Sequence, residues 1–138
     1  MTRIINVNSG QYLDFDGNSR EVFQNPSEFT VTQEWQIEQI PSSTLVKFKC
    51  AIPTGNVILD VPDGPRDPGV QLIVFEDRHT TEQLWQMIPV PNDSSGAFFL
   101  QNFFTQQYMD VNGSSLDAHA PVIQFPFNGG KNQQWKAE

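Results

Sequence analysis

The residues best suited to chemistry in this chain are three aspartates, each of which directly follows an apolar residue. A carboxylate can accept hydrogen bonds from two neighbouring hydroxyl groups, so each aspartate is a candidate binding group. Asp110 is followed along the chain by Phe125 and Asn132. An aromatic ring can stack on an apolar C–H face, and an amide both donates and accepts hydrogen bonds. These residue types favour binding chemistry, and the three pairs are Leu13-Asp14, Leu59-Asp60 and Met109-Asp110.

Catalytic and metal-binding motifs receive little support. His79 and His119 are the two histidines, and neither lies in a metal-binding or nucleophile motif. Cys50 lies in an apolar segment, which is typical of a small core residue rather than a nucleophile. One cluster of three aspartates is interrupted by prolines and lacks the spacing of a calcium loop, which indicates a solvated acidic turn. We therefore expect no catalysis, no metal ion and no cofactor. The aspartates of that cluster are Asp60, Asp63 and Asp67.

The strongest pattern in the sequence is a three-fold internal repeat. A Gln-x-Trp triplet recurs at 50-residue intervals, and the triplets contain all three tryptophans. The apolar-Asp pairs recur in phase with them, although the first repeat has lost about four residues between these two landmarks. We predict a structural role for the triplets, with each Trp near a shared core and each Gln bonded to backbone. The triplets are Gln33-Glu34-Trp35, Gln83-Leu84-Trp85 and Gln133-Gln134-Trp135.

Local patterns predict short strands separated by turns. The segment 46–50 alternates with period two, as a half-buried strand does. The runs 57–59, 72–75 and 98–100 are β-branched or aromatic and of strand length. Three units that close on themselves remove exposed strand edges and share one core. The sequence therefore predicts an all-β fold with about twelve strands in three pseudo-symmetric repeats.

Length and composition limit the alternatives. The 138 residues suffice for one domain with a hydrophobic core, and we place the repeats at about 1–41, 42–91 and 92–138. The lone Cys50 cannot form an intrachain disulfide, which fits a reducing compartment. The first residues resemble no secretory signal and no segment could span a membrane, so we expect a cytoplasmic protein. The net charge of −8 would repel phosphate backbones and anionic membranes, which argues against nucleic acid and membrane insertion.

Three Gln-x-Trp triplets, each preceded by an apolar-Asp pair, resemble the repeats of the ricin-B-type β-trefoil lectins. The resemblance covers essentially the whole chain, and the lack of disulfides is more similar to the small mushroom lectins than to the secreted plant toxins. It implies a β-trefoil that binds carbohydrate, with a preference for galactose or N-acetylgalactosamine and a role in fungal defence. In this family a sugar is held by the Asp of the pair, an aromatic about eight residues before the triplet and the Asn that precedes the triplet.

The third repeat matches this pattern best. The resemblance implies a carbohydrate site built from Asp110, Phe125, Asn132 and the adjacent Gln133. Phe125 stands where Trp or Tyr is more usual, and it can stack without hydrogen-bonding. Ile123 stands where some relatives carry a polar contact.

The second and first repeats depart from the pattern. In the second, Asp60 and Phe75 are in place, but Glu82 replaces the Asn and cannot donate when ionised. Replacement contacts could come from the neighbouring segment 77–79. In the first, Asn25 replaces the aromatic and Thr32 replaces the Asn, so Asp14 is expected to bond local backbone instead.

Two functions from different classes remain open at this stage. The leading one is a lectin for galactose-type glycans, in which weak single-sugar sites gain avidity through several sites or a homodimer. The alternative is a protease inhibitor of β-trefoil shape that acts through the proline-stiffened loop 61–70. A toxin-partner or pore-forming module has no segment left over to form a pore.

Overall fold

The computed structural model describes residues 2–62 and 66–138. Twelve strands account for its regular structure in that part of the chain, as predicted, and the helical content there is four single 3₁₀ turns. The turns are Val31–Gln33, Thr81–Gln83, Asn112–Ser114 and Lys131–Gln133. The strands are β1 (Ile4–Asn6), β2 (Tyr12–Phe15), β3 (Val22–Asn25), β4 (Gln36–Gln39), β5 (Leu45–Ile52), β6 (Gly55–Asp60), β7 (Ile73–Phe75), β8 (Trp85–Pro89), β9 (Phe98–Asn102), β10 (Tyr108–Val111), β11 (Val122–Phe125) and β12 (Trp135–Ala137).

Six strands close into a barrel. β4 pairs β5, β5 pairs β8, β8 pairs β9, β9 pairs β12 and β12 pairs β1, all antiparallel. The ring closes through Thr2 and Trp35, which exchange backbone hydrogen bonds of 2.8 and 2.7 Å. Closure leaves no unpaired strand edge around the barrel, which is the physical advantage that the repeat pattern anticipated.

Three hairpins cover one end of the barrel. They are β2–β3, β6–β7 and β10–β11, one from each repeat. Isolated bridges between Glu21 and Ile73, between Phe23 and Pro121, and between Gln71 and Ile123 tie the hairpins to one another. A six-stranded barrel capped by three hairpins is a β-trefoil, so the predicted fold is confirmed.

Each Gln-x-Trp triplet fastens a hairpin to the barrel in the same way. The three tryptophans are fully buried, and each indole Nε1 donates a 3.1 Å hydrogen bond to the carbonyl oxygen of the apolar residue that precedes the aspartate. The three glutamines are also fully buried, and each ends a 3₁₀ turn. These contacts place the aspartates directly beside the triplets, which agrees with the structural role predicted for them. The accepting carbonyls belong to Leu13, Leu59 and Met109.

The core contains one departure from the predicted strand pattern. In β5, Lys47 is 7% exposed although the alternation assigned it to the solvent side. Its ammonium group pairs with the Asp77 carboxylate at 2.9 Å, and this pairing compensates for its burial.

Cys50 is fully buried, and burial raises the pKa of its thiol to about 12. The thiol is therefore neutral at physiological pH, as expected for a core residue.

Among residues 2–62 and 66–138, no helix has the length and apolar character needed to cross a membrane.

Candidate functional site

The third repeat contains a surface pocket of about 310 Å³ beside the β10–β11 hairpin. Three predicted site residues, Asp110, Phe125 and Asn132, line it together. Ile123, the strand partner of Asp110, forms an apolar wall. The pocket also includes four residues that the sequence did not single out: Asn112, Gly113, Ser114 and Asn128.

Asp110 forms the floor of this pocket and is oriented by two amides. Its Oδ1 accepts a 3.0 Å hydrogen bond from Asn132 Nδ2, and its Oδ2 accepts a 2.8 Å bond from Gln133 Nε2. A carboxylate offers about four lone-pair positions, so acceptor capacity remains on both oxygens. Burial raises the pKa of Asp110 above its ordinary value of 3.8, although the bonds from Gln133 and Asn132 oppose this rise. The carboxylate is thus a fixed acceptor for neighbouring hydroxyl groups.

Asn132 connects the floor of the pocket to its rim. One of its two amide protons is used on Asp110, which leaves one donor, and its Oδ1 makes no hydrogen bond within the part of the chain that the structure describes. Gly130 leaves the space this side chain occupies, because an added Cβ would lie 2.7 Å from Asn132 Oδ1 and 3.1 Å from Asn128 Oδ1. Asn132 can therefore both donate to and accept from a ligand hydroxyl group.

Phe125 supplies the aromatic face of the pocket. It ends β11 and is 39% exposed, which is high for a ring of this size beside a buried strand. A ligand with an apolar C–H face could stack on this ring while its hydroxyl groups reach Asp110 and Asn132. The pocket thus offers an aromatic face and polar hydrogen-bonding groups, which suit a ring with one apolar face and one edge of hydroxyl groups.

Gln133 lies beneath the pocket and positions the residues that line it. It is fully buried, and its Nε2 donates to Asp110 and also to the carbonyl oxygen of Pro126 at 3.0 Å. Its Oε1 accepts from the backbone N–H of Asn128 at 2.9 Å. Since both amide protons are used inside the protein, Gln133 belongs to the predicted site as the residue that positions Asp110 and the segment leading to Asn128.

The first repeat braces the rim turn, defined here as Asn112–Ser114, and the loop 115–117 that follows it. Asn8 Nδ2 donates to the carbonyl oxygen of Ser114 at 3.2 Å, and Gln11 Nε2 donates to that of Leu116 at 2.6 Å. The buried Gln24 donates to two further carbonyl oxygens of the same loop. The first repeat therefore supports the pocket of the third. Sequence reasoning could not find these residues, because the contacts join positions about a hundred residues apart.

The second repeat holds a smaller pocket of about 230 Å³. Asp60 and Phe75 line it as predicted, but Arg78 lies over the Phe75 ring with its guanidinium carbon 3.9 Å from the ring centroid. Arg78 occupies the position equivalent to Asn128, since the backbone N–H of each bonds the triplet glutamine. A stacked guanidinium takes the space above the ring that a ligand would need.

No other residue considered in the second repeat replaces the amide that Asn132 supplies in the third. Glu82 makes no side-chain hydrogen bond to Asp60 within the described residues. Asp77 and His79, considered as replacement contacts, instead pack with Lys47. Burial, with a smaller contribution from the charge of Glu82, raises the pKa of Asp60 to about 6. This carboxylate is therefore less fully ionised near neutral pH than an ordinary aspartate.

In the first repeat the aspartate is closed off. Asp14 Oδ2 accepts from Gln33 Nε2 at 3.0 Å and from Asn25 Nδ2 at 3.2 Å, while Oδ1 accepts from the backbone N–H of Phe15 at 2.7 Å. Asn25 stands where Phe125 stands in the third repeat and is 3% exposed. Asp14 thus has the structural role, including the local backbone bond, that the sequence suggested.

Two other features bear on alternative functions. Within the described residues no group of three or more histidine, cysteine or acidic side chains is arranged to hold a metal ion. Asp63 of the acidic cluster lies outside those residues, as does the centre of the loop 61–70. The flanking part of that loop is tied to the body, since Gln124 Nε2 donates to the carbonyl oxygen of Asp67 at 2.9 Å.

Comparison with known proteins agrees with this architecture. Residues 81–138 match the family described as ricin-type beta-trefoil lectin domain-like. The designed three-fold symmetric protein ThreeFoil superposes with a TM-score of 0.86 at 23% identity, covering 99% of this chain and 96% of that protein. No curated protein matched the sequence at a significant level.

Two natural proteins share the fold in different contexts. The ricin B-like lectin of Macrolepiota procera, solved in complex with lactose, gives a TM-score of 0.80 at 20% identity over 100% of this chain and 94% of that one. An exo-beta-1,3-galactanase from Clostridium thermocellum gives 0.84 at 23% identity, but the likeness spans 29% of that enzyme. At these identities the likeness establishes the fold. The resemblance to ricin-B-type β-trefoil lectins that the sequence predicted is thus confirmed.

Proposed function

We propose that this protein is a lectin that binds galactose-type sugars in the pocket of its third repeat and does not catalyse a reaction. The observation that carries the proposal is the Asp110 carboxylate, fixed by Asn132 and Gln133 beneath the exposed ring of Phe125. A fixed acceptor, an amide with free donor and acceptor positions and an aromatic plate are the three groups that a sugar ring requires.

The preference for galactose or N-acetylgalactosamine has a physical basis in the same geometry. The axial hydroxyl at C4 of galactose leaves one face of the ring with a continuous C–H patch, which suits Phe125. The match of residues 81–138 to a lectin family and the lactose held by the Macrolepiota lectin support this choice.

The charges of the pocket support binding without catalysis. Hydrolysis of a glycosidic bond uses two carboxyl groups that flank it. Asp110 is the one carboxylate among the described residues that line this pocket. A single shallow site is expected to bind a monosaccharide with a Kd near ~1 mM, or roughly −4 kcal/mol. Useful avidity then requires a homodimer or a contribution from the second repeat through Asp60, Phe75 and Glu82.

The test is titration calorimetry with methyl β-galactoside on a matched pair of variants, Asp110→Asn and Asp14→Asn. Each replaces a carboxylate oxygen by an amide NH₂ group that faces one of the donors bonded to that carboxylate, so both should lower stability. Only Asp110→Asn removes an acceptor from an open pocket, so it should abolish binding, and Asp14→Asn should keep the parent affinity.

If binding is lost in a folded Asp14→Asn protein and kept in Asp110→Asn, the sugar site lies in the first repeat and its assignment to the third is wrong. If a glycan array finds no ligand for the parent protein, the lectin proposal fails. Inhibition of proteases through the loop 61–70 should then be measured in its place.

A further inference from the structure

Three aromatic rings lie beside the single-sugar pocket. Phe127 is 56% exposed, yet its ring is fixed by an edge-on contact with Phe99 and a tilted contact with Tyr108, each with centroids 5.0 Å apart. Phe99 also contacts Tyr108 edge-on at 6.3 Å and is itself 5% exposed. We call Phe99, Tyr108 and Phe127 the aromatic platform. Phe127 presents its apolar ring to solvent, and the other two rings hold it in place.

The platform is continuous with the pocket. Tyr108 and Phe125 are direct partners in the β10–β11 ladder, so their side chains lie next to each other on one face of the hairpin. Phe127 directly precedes Asn128, which lines the pocket. The Tyr108 hydroxyl makes no hydrogen bond to any residue that the structure describes. Exposed aromatic surface therefore runs from the pocket wall to Phe127 and carries a free hydroxyl along its course.

The fold does not need the rings of Phe99 and Phe127, because the other two repeats use polar pairs at these two positions. The equivalence follows from the barrel, where Thr2, Val46 and Phe98 each pair with the tryptophan of their own repeat. The contact between Phe99 and Phe127 thus corresponds to a hydrogen bond in the first repeat and an ion pair in the second. These are Arg3 with Ser27 at 2.7 Å and Lys47 with Asp77 at 2.9 Å.

We infer that the aromatic platform is a second subsite, which takes the sugar ring linked to the galactose-type unit in the Asp110 pocket. The inference rests on the proposed function and narrows the ligand from a monosaccharide to a glycan of at least two rings. Sugar rings carry apolar C–H faces that stack on exposed aromatic rings, and the Tyr108 hydroxyl can bond a ring hydroxyl group. The three rings occur together in the repeat that holds the open pocket, which is where a second subsite would be used.

The experiment compares methyl β-galactoside with two disaccharides, lactose and β-1,3-linked galactobiose, by titration calorimetry. The parent should bind at least one disaccharide about tenfold more tightly than the monosaccharide, as a stacking contact of this kind provides. Phe127→Ser, which installs the residue of the first repeat, should remove this preference and leave the affinity for methyl β-galactoside unchanged. Phe127→Trp retains a stacking surface and should keep the preference. Thermal melting establishes that each variant is folded.

The outcomes separate the two proposals. If the parent binds methyl β-galactoside but no disaccharide more tightly, or if Phe127→Ser keeps the disaccharide preference, the second subsite is wrong and the lectin proposal stands. If Phe127→Ser and Phe127→Trp lose both kinds of sugar equally, Phe127 is a packing residue and the second subsite is again wrong. If the parent binds none of the three sugars, both proposals fail.

Discussion

The Asn25 amide donates a hydrogen bond to Asp14 Oδ2 at 3.2 Å, and this bond fills the place that an exposed aromatic ring holds above Asp110 in the third repeat. Asp14 and Asp110 are buried at equivalent positions, but their acceptor positions are used differently. In the first repeat Asn25, Gln33 and the backbone use the acceptor positions of Asp14. In the third repeat, part of the capacity of Asp110 faces a pocket. Of these two equivalent aspartates, Asp110 alone faces an open pocket.

The second repeat should gain a site when two of its residues are replaced by those of the third. The double variant Arg78→Asn and Glu82→Asn removes the nearer of the two guanidinium groups over Phe75, leaving Arg20 at 5.4 Å from the ring centroid, and supplies an amide that can orient Asp60. We expect the number of sugars bound per chain to rise from one to two in calorimetry, with the new site disabled by adding Asp60→Asn. An unchanged stoichiometry in the folded double variant would show that other features of this repeat prevent binding.

Gly130→Ala should weaken sugar binding without unfolding the protein. The added methyl group would lie 2.7 Å from Asn132 Oδ1, so the amide that orients Asp110 must move. Loss of one or two neutral hydrogen bonds of about 1 kcal/mol each predicts roughly a tenfold lower affinity. Gly17→Ala is the control, because nothing lies within 4 Å of its Cβ position and its φ is not positive. Equal affinities for both variants would show that Asn132 adjusts freely.

The brace from the first repeat should matter for binding as well as for stability. Gln11→Ala releases the carbonyl oxygen of Leu116 and loosens the rim turn, so affinity should fall several-fold. Gln107→Ala removes the corresponding bond to the carbonyl oxygen of Arg66, beside the second repeat's loop. Each change should cost about 0.5–1.5 kcal/mol of unfolding free energy. Calorimetry should show reduced sugar affinity for Gln11→Ala alone. A similar loss of sugar affinity in Gln107→Ala would show that the effect of Gln11 does not act through the loop beside the pocket.

Sugar affinity should decrease on acidification because binding uses the ionised carboxylate. Burial raises the pKa of Asp110, so protonation and loss of an acceptor begin at a higher pH than for an ordinary aspartate. A bound sugar donates to the ionised form, which lowers the pKa again, so binding at acidic pH should release protons. Calorimetry in buffers of different ionisation enthalpy measures this release.

The same titration distinguishes the repeats. The pKa of Asp60 is about 6, so any binding in the second repeat should be half lost near that pH. Asp60→Asn should leave the profile unchanged if the third repeat alone binds. An affinity that stays constant down to strongly acidic pH would contradict a role for either carboxylate.

The sequence could predict the parts of the site that repeat in phase. Asp110, Phe125 and Asn132 stand at fixed distances from a triplet whose glutamine and tryptophan bond the same groups in every repeat. The fold followed from the same periodicity, because three equivalent units have to share one core.

Features that depend on contacts between distant positions could not be predicted. Lys47 is buried because it meets Asp77, thirty residues away, and a strand pattern carries no information about that partner. The loop that follows the rim turn is held by Gln11 and Gln24 of another repeat. Spacing alone could not indicate which amides would serve the pocket.

The most direct test of the central claim is a titration of isotope-labelled protein with lactose, followed in amide NMR spectra. If the sugar binds in the third repeat, the Asn132 and Asn128 side-chain amides and the Gly113 and Ser114 backbone amides should show saturable shifts. The Asn25 side-chain amide, which closes the first repeat, should not move. Shifts confined to the first repeat or to the loop 61–70, or an absence of saturable shifts at Asn132, would contradict the placement of the sugar site in the third repeat.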